Sequence, residues 1–221
     1  MLKMELHRKF LKKTCWMKFK LLIFFIISQI GFSQNVKLKT GDIIFQSMNC
    51  GPLCDAINQV TEGYKGHDFN HLGLVYIQND SIYIIEAAGS AVQLTSLEKF
   101  KSYTNETMFV GRLKRRFRKF IPEAVSFSLK QIGIPYDDAY LYNNGSYYCS
   151  ELIYDAFLDA YKKPFFELQP MTFKAPNSNT YFEAWQEYYD SLKMEIPEGQ
   201  LGCNPGGIST SAKLKIIGTL D

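Results

Sequence analysis

Cys149 stands in the run Asn144-Gly145-Ser146-Tyr147-Tyr148-Cys149-Ser150-Glu151-Leu152-Ile153-Tyr154, where a turn feeds an amphipathic helix. A thiol in the first turn of a helix meets unpaired N–H groups and the positive end of the dipole, which favour thiolate over thiol. Cys149 is therefore the candidate nucleophile. A free cysteine also packs well as a small hydrophobe, so the chemistry requires a base within reach.

The choice of base is narrow, because the chain has three histidines, His7, His67 and His71. His7 lies in an N-terminal segment read below as a leader. His71 opens the β-rich run His71-Leu72-Gly73-Leu74-Val75-Tyr76-Ile77, followed after Gln78-Asn79-Asp80-Ser81 by Ile82-Tyr83-Ile84-Ile85-Glu86-Ala87. That pattern predicts a hairpin. With a loop of two or four residues the register is the same: Ile77 faces Ile82, Val75 faces Ile84 and Gly73 faces Glu86. His71, Gly73 and Glu86 then project from one side, and Gly73 leaves room for a ring and a carboxylate to lean together. A Glu inside Tyr-Ile-Ile-Glu-Ala-Ala is costly to bury without a partner. A carboxylate accepting from one imidazole nitrogen would fix the tautomer and leave the other nitrogen for the thiol proton. The competing reading is a hairpin with Glu86 in solvent and His71 a satisfied edge residue. Zinc on His67-x-x-x-His71 would need a helix, and the sequence there reads as loop into strand, so no metal is expected.

Five fragments occur in order: Gly41-Asp42-Ile43-Ile44-Phe45-Gln46, Asn70-His71-Leu72-Gly73-Leu74-Val75, Ile85-Glu86-Ala87, Pro135-Tyr136-Asp137, and Tyr148-Cys149-Ser150-Glu151-Leu152-Ile153. Together they resemble the permuted papain-like amidases, the YiiX/YebB-like branch of the NlpC-type cysteine peptidase superfamily, over about residues 39–160. The resemblance implies a circularly permuted papain-like fold in which His71 and Glu86 precede Cys149. It also implies a thiol hydrolase or acyltransferase acting on amide or ester bonds, with Cys149 as nucleophile, His71 as base and Glu86 as the orienting acid. Tyr136 and Tyr148 fall in the tyrosine-bearing motifs, which implies a part in shaping a substrate pocket or holding an oxyanion. Cys50-Gly51-Pro52-Leu53-Cys54 is outside the general pattern, and a bridge between its cysteines would close only a short loop.

The elements that must position these groups read as α+β, an antiparallel sheet packed against helices. Strands are expected at Gly41 to Gln46, in the hairpin, at Met108 to Leu113 and at Lys213 to Ile217. Helices are expected from Leu53 to Thr61, from Pro122 to Gly133, from Cys149, and from Phe182 to Tyr189. In the Cys149 helix Leu152, Ile153, Ala156, Phe157 and Ala160 form an apolar face, with Glu151, Asp155 and Asp159 expected on a wet one.

Lys12, Lys13, Lys18 and Lys20 precede the apolar run Leu21 to Ile27, and Gly31-Phe32-Ser33 follows, the pattern of a secretory leader over residues 1–33. A 34–221 domain with one core is expected, exported to the periplasm or the exterior, with no stable membrane anchor after cleavage. The leader holds seven of the 25 Lys and Arg and one of the 22 Asp and Glu. The remaining balance, 18 basic against 21 acidic residues, excludes a basic nucleic-acid-binding domain. The cluster Arg112 to Lys119 reads as a solvated turn. No cofactor is expected, since a Cys-His-Glu triad is chemically complete. The expected substrate is a cell-envelope amide, peptide or acyl-lipid. The rival is a non-catalytic lipid- or glycan-binding envelope protein that keeps the fold.

Overall fold

The computed structural model describes residues 36–220; the leader expected at 1–33 lies outside them. The elements follow in chain order. β1 (Ile43–Gln46) leads to α1 (Pro52–Val60), and β2 (His71–Gln78), β3 (Ser81–Ala88) and β4 (Ala91–Ser96) form a meander closed by the short α2 (Leu97–Lys101). β5 (Met108–Leu113) and a 3₁₀ turn over Arg115–Phe120 precede α3 (Ile121–Lys130) and α4 (Cys149–Tyr161). The last part holds β6 (Gln169–Pro170), α5 (Glu183–Leu192), β7 (Leu201–Gly202), α6 (Pro205–Ser209) and β8 (Leu214–Leu220). The main sheet is antiparallel, in the order β4-β3-β2-β1-β5-β8.

The β2–β3 hairpin has the expected register, with Ile77 opposite Ile82 and Val75 opposite Ile84. Its loop is the two-residue Asn79-Asp80, both residues at positive φ, as the twist of a tight hairpin demands. The space beside Gly73 is used differently from the expectation. A Cβ there would collide with Ile84 Cγ2 and come within 3.1 Å of the Phe100 ring, so the glycine admits those two side chains rather than the imidazole.

Alternation along the strands gives the sheet two buried faces. Ile43, Phe45, Leu72, Leu74, Ile85 and Ala87 pack under α4 through Leu152, Ile153, Ala156 and Phe157. Ile44, Val75, Ile84 and Val110 point the other way, onto Phe100 of α2. A third cluster of Phe173, Trp185, Tyr189 and Ala56 joins α5 to α1. The Gly41-Asp42 pair is architectural. Gly41 has φ +89° with Ile121 pressed against it, and the buried Asp42 carboxylate accepts two 2.7 Å bonds from Arg112. Arg112 is thereby removed from the basic run that follows it.

Candidate active site

Two strands and one helix start carry the chemical groups. β2 pairs with β3 only as far as Leu74–Ile85; beyond that point β2 continues against β1, with His71 opposite Gln46, and β3 continues against β4, with Glu86 opposite Gln93. His71 and Glu86 face each other where the ladder ends. His71 Nε2 and Glu86 Oε2 are 2.6 Å apart, with His71 5% exposed and Glu86 fully buried. Cys149 is near enough to the imidazole to act on its charge. Because Glu86 occupies Nε2, Nδ1 is the nitrogen left for the thiol.

Burial alone would lower the imidazole pKa. The hydrogen bonds to Cys149 and Glu86, and the negative charges they bring, outweigh it and push the His71 pKa up to about 9. The Glu86 carboxylate is itself well held. Its Oε1 accepts from Thr95 Oγ1 at 2.5 Å, Tyr103 Oη at 3.1 Å and Gln93 Nε2 at 3.5 Å. These partners of the acid escaped the sequence reading because Ala91–Ser96 was not read as a strand. The alternation Val92-Gln93-Leu94-Thr95 was the available signal, and it puts Gln93 and Thr95 on the Glu86 face.

Cys149 is the first residue of α4, capped by Tyr148 in extended backbone. Its Sγ lies 3.9 Å from the Asn70 carbonyl oxygen, and it lines a cavity of about 390 Å³. Asn70 ties the loop after β1 to the start of β2: its amide donates to the Met48 carbonyl and to Asn58, while its own oxygen accepts from Met48 N–H. The Cys50–Cys54 disulfide joins that loop to the first turn of α1. The cavity wall is mixed: Ile57, Phe166, Met171, Phe173 and Trp185 alternate with polar residues such as Asn70, Gln169 and Thr172.

Both tyrosines line the cavity, with different hydroxyl partners. Tyr136 lines the cavity, and its phenol pKa is raised by burial, then by the neighbouring Tyr140 and by Cys149. Tyr148 is 2% exposed, and its Oη accepts from Cys203 N–H at 3.2 Å, so its hydroxyl is committed to holding the strand end at Cys203. Glu151 departs from the wet face expected of it. It is fully buried, its Oε1 accepts from Asn143 N–H at 2.8 Å, and Oε2 has no partner. Burial raises its pKa to about 8 against the opposing effect of that N–H.

A sequence pattern described as the permuted papain-like amidase enzyme, YaeF/YiiX, C92 family, matches residues 37–217. This chain belongs to that family. It is 27% identical over 127 residues to the uncharacterized protein YiiX of Escherichia coli strain K12, a match covering 55% of this chain and 58% of that protein. The chain thus aligns with little more than half the length of that relative. The crystal structure of metalloprotein YiiX from Escherichia coli O157:H7 superposes with a TM-score of 0.67 at 23% identity, covering 84% of this chain and 98% of that one. The fold is the permuted papain-like one expected from the ordered motifs, and the family is one of cysteine amidase-type hydrolases. Among the described residues no group of three or more His, Cys, Asp or Glu is disposed to hold a metal ion. The His67 ring lies tilted against Phe109, with centroids 4.3 Å apart, while His71 is engaged by Glu86 and Cys149, so these side chains do not fit a metal site.

Proposed function

We propose that this family member is an exported thiol hydrolase that cleaves an amide or ester bond of a cell-envelope substrate through Cys149, His71 and Glu86. The observation that carries the reading is the single imidazole held between a buried carboxylate at 2.6 Å and the thiol of a helix-start cysteine facing a cavity. With the Cys149 proton already held on His71, the sulfur attacks the carbonyl carbon. The carbonyl π electrons move onto oxygen, giving an oxyanion facing the N–H groups of the α4 first turn. The tetrahedral adduct collapses, the imidazolium protonates the leaving amine or alcohol, and an acyl-thioester remains. Water, deprotonated by His71, then releases the acid and restores the thiol. Tyr136, the phenol beside Cys149 on the cavity wall, is the side-chain candidate for a second oxyanion donor. Export is supported by the Lys-rich, apolar start of the chain and by the Cys50–Cys54 disulfide, a bond that persists in oxidising compartments.

The test is a burst assay with an activated acyl ester, followed by intact-protein mass measurement after acid quench. The acyl mass should sit on Cys149, with no adduct in Cys149→Ala and none formed at a measurable rate in His71→Ala. A protein that forms no adduct, and whose Cys149 alkylates at the same rate and pH with and without His71, is the non-catalytic binding protein instead.

A further inference from the structure

The basic run after β5 does not stand alone in space. Lys114, Arg115, Arg116, Arg118 and Lys119 are all exposed on the 3₁₀ turn. Lys114 N–H donates to the Lys213 carbonyl at 2.9 Å, and Arg112 is paired with Lys215, which brings the start of β8 alongside. The C-terminal end of α4 closes the group: Phe120 packs on Tyr161 at 4.9 Å and Phe117 on Phe165 at 5.3 Å, so Lys162 and Lys163 emerge beside the turn. Nine of the 18 Lys and Arg residues beyond residue 33 are therefore gathered on one end of the domain. The carboxylates on the adjoining turns are Glu123, Asp159 and Glu167, of which Asp159 is paired with Lys162 at 2.8 Å. The rest of the domain carries 18 carboxylates against nine cations.

We infer that this end is a docking surface for an anionic lipid bilayer. The domain is net acidic, so its uniform charge would be repelled by such a surface; only this end is attracted, and the opposed charge elsewhere sets the orientation. Between the cations lie the half-buried rings of Phe117 and Phe120, with Arg116 4.7 Å from the first ring and Lys119 5.1 Å from the second. Interleaved rings and long basic side chains suit a headgroup layer, where apolar stems sink and charged ends meet phosphate. The patch is also continuous with the cavity that holds Cys149. Lys213 belongs to both, its Nζ 5.2 Å from the ring centre of the buried Phe165 that lines the cavity. Docking by this end presents the cavity to the bilayer. The inference concerns binding and stands whether or not Cys149 turns over substrate.

Vesicle co-sedimentation tests it on the protein without its leader, with phosphatidylcholine vesicles against vesicles that also contain phosphatidylglycerol. Binding should appear only with the anionic lipid and weaken steeply with added salt. The triple variant Arg115→Glu, Arg116→Glu, Lys119→Glu, all on exposed positions remote from the thiol, should bind roughly a hundredfold more weakly. Its thermal unfolding and its rate of Cys149 acylation by a soluble ester should be unchanged, while the exchange Arg115→Lys, Arg116→Lys, Lys119→Arg retains binding. Equal binding to neutral vesicles, an undiminished triple variant, or retention on a soluble polyanion with no vesicle binding overturns the proposal.

Discussion

At the scale of single residues, His71 decides what the site can do, because it touches both the acid and the thiol. With a pKa of about 9 it is an imidazolium at neutral pH, and it owes that charge to Cys149 and Glu86. In the proposed mechanism the proton that it delivers to a leaving group is therefore present below about pH 9 and gone above it. The alkaline limb of kcat/KM should fall near pH 9 in the native protein. In Glu86→Gln, which removes one of the two supports of the imidazolium, the limb should move to lower pH. A pH–rate profile of the two proteins checks this, and an unmoved limb would remove Glu86 from the mechanism. Rates should separate in the same order, with about a thousandfold loss or more in His71→Ala and a smaller one, of roughly 10²-fold, in Glu86→Gln. The meeting of His71 and Glu86 was legible in the sequence, since hairpin register is arithmetic once two strands and a turn are recognised. Of the partners of Glu86, Gln93 and Thr95 left only the short alternation of β4, and Tyr103 reaches the carboxylate from a turn that leaves no periodic trace.

At the scale of elements, the first turn of α4 does two jobs that the amphipathic pattern does not distinguish. One side presents Cys149 to the imidazole; the other buries Glu151 beneath the 137–147 loop, where its carboxyl holds Asn143 N–H. Periodicity placed Glu151 with Asp155 and Asp159 on a polar stripe. The loop that covers it is irregular, built on the buried Asp137 carboxylate that accepts from Ala139 and Leu141 N–H, and such a loop leaves no periodic trace. The folded-state pKa of Glu151, about 8, lies above its ordinary value of 4.5, so the folded protein holds the extra proton between them and stability falls as pH rises through that window. Glu151→Gln should abolish the fall: its melting temperature should match the native protein near pH 5 and exceed it by several degrees at pH 9, about 1 kcal/mol or more. Parallel melting curves across pH are the measurement. Tyr148→Phe tests the opposite side of the same turn. It strands the buried Cys203 N–H and should cost about 1–2 kcal/mol in denaturant titrations, with cavity chemistry largely retained because the hydroxyl points to Cys203 rather than to the thiol.

For the whole domain, residues 36–220, the arrangement of cores explains why chemistry sits where it does. The sheet is buried on both faces, and its central strands β1, β2 and β3 carry side chains with no exposure at all, such as Ile43, Ile44, Leu74 and Ile85. His71 and Glu86 are anchored in this rigid part. The opposite wall of the cavity is a separate cluster around Trp185, Phe173 and Tyr189, tied to the main body through α1 and the Tyr188 and Tyr189 hydroxyls on the 138–139 carbonyls. A short helix of mixed exposure with exposed loop on its N-terminal side, Asn177 to Asn179, has fewer apolar contacts to break than the sheet has. Local opening should therefore come first at the cavity wall, leaving the imidazole and its carboxylate in place. Native-state hydrogen exchange should give α5 amides an opening free energy well below that of β2 and β3 amides, the latter exchanging only by global unfolding. Trp185→Ala, which takes the central ring from that wall, should lower α5 protection and raise KM while the acylation rate at saturation changes little; equal loss of protection in β2 would mean that wall and sheet unfold as one.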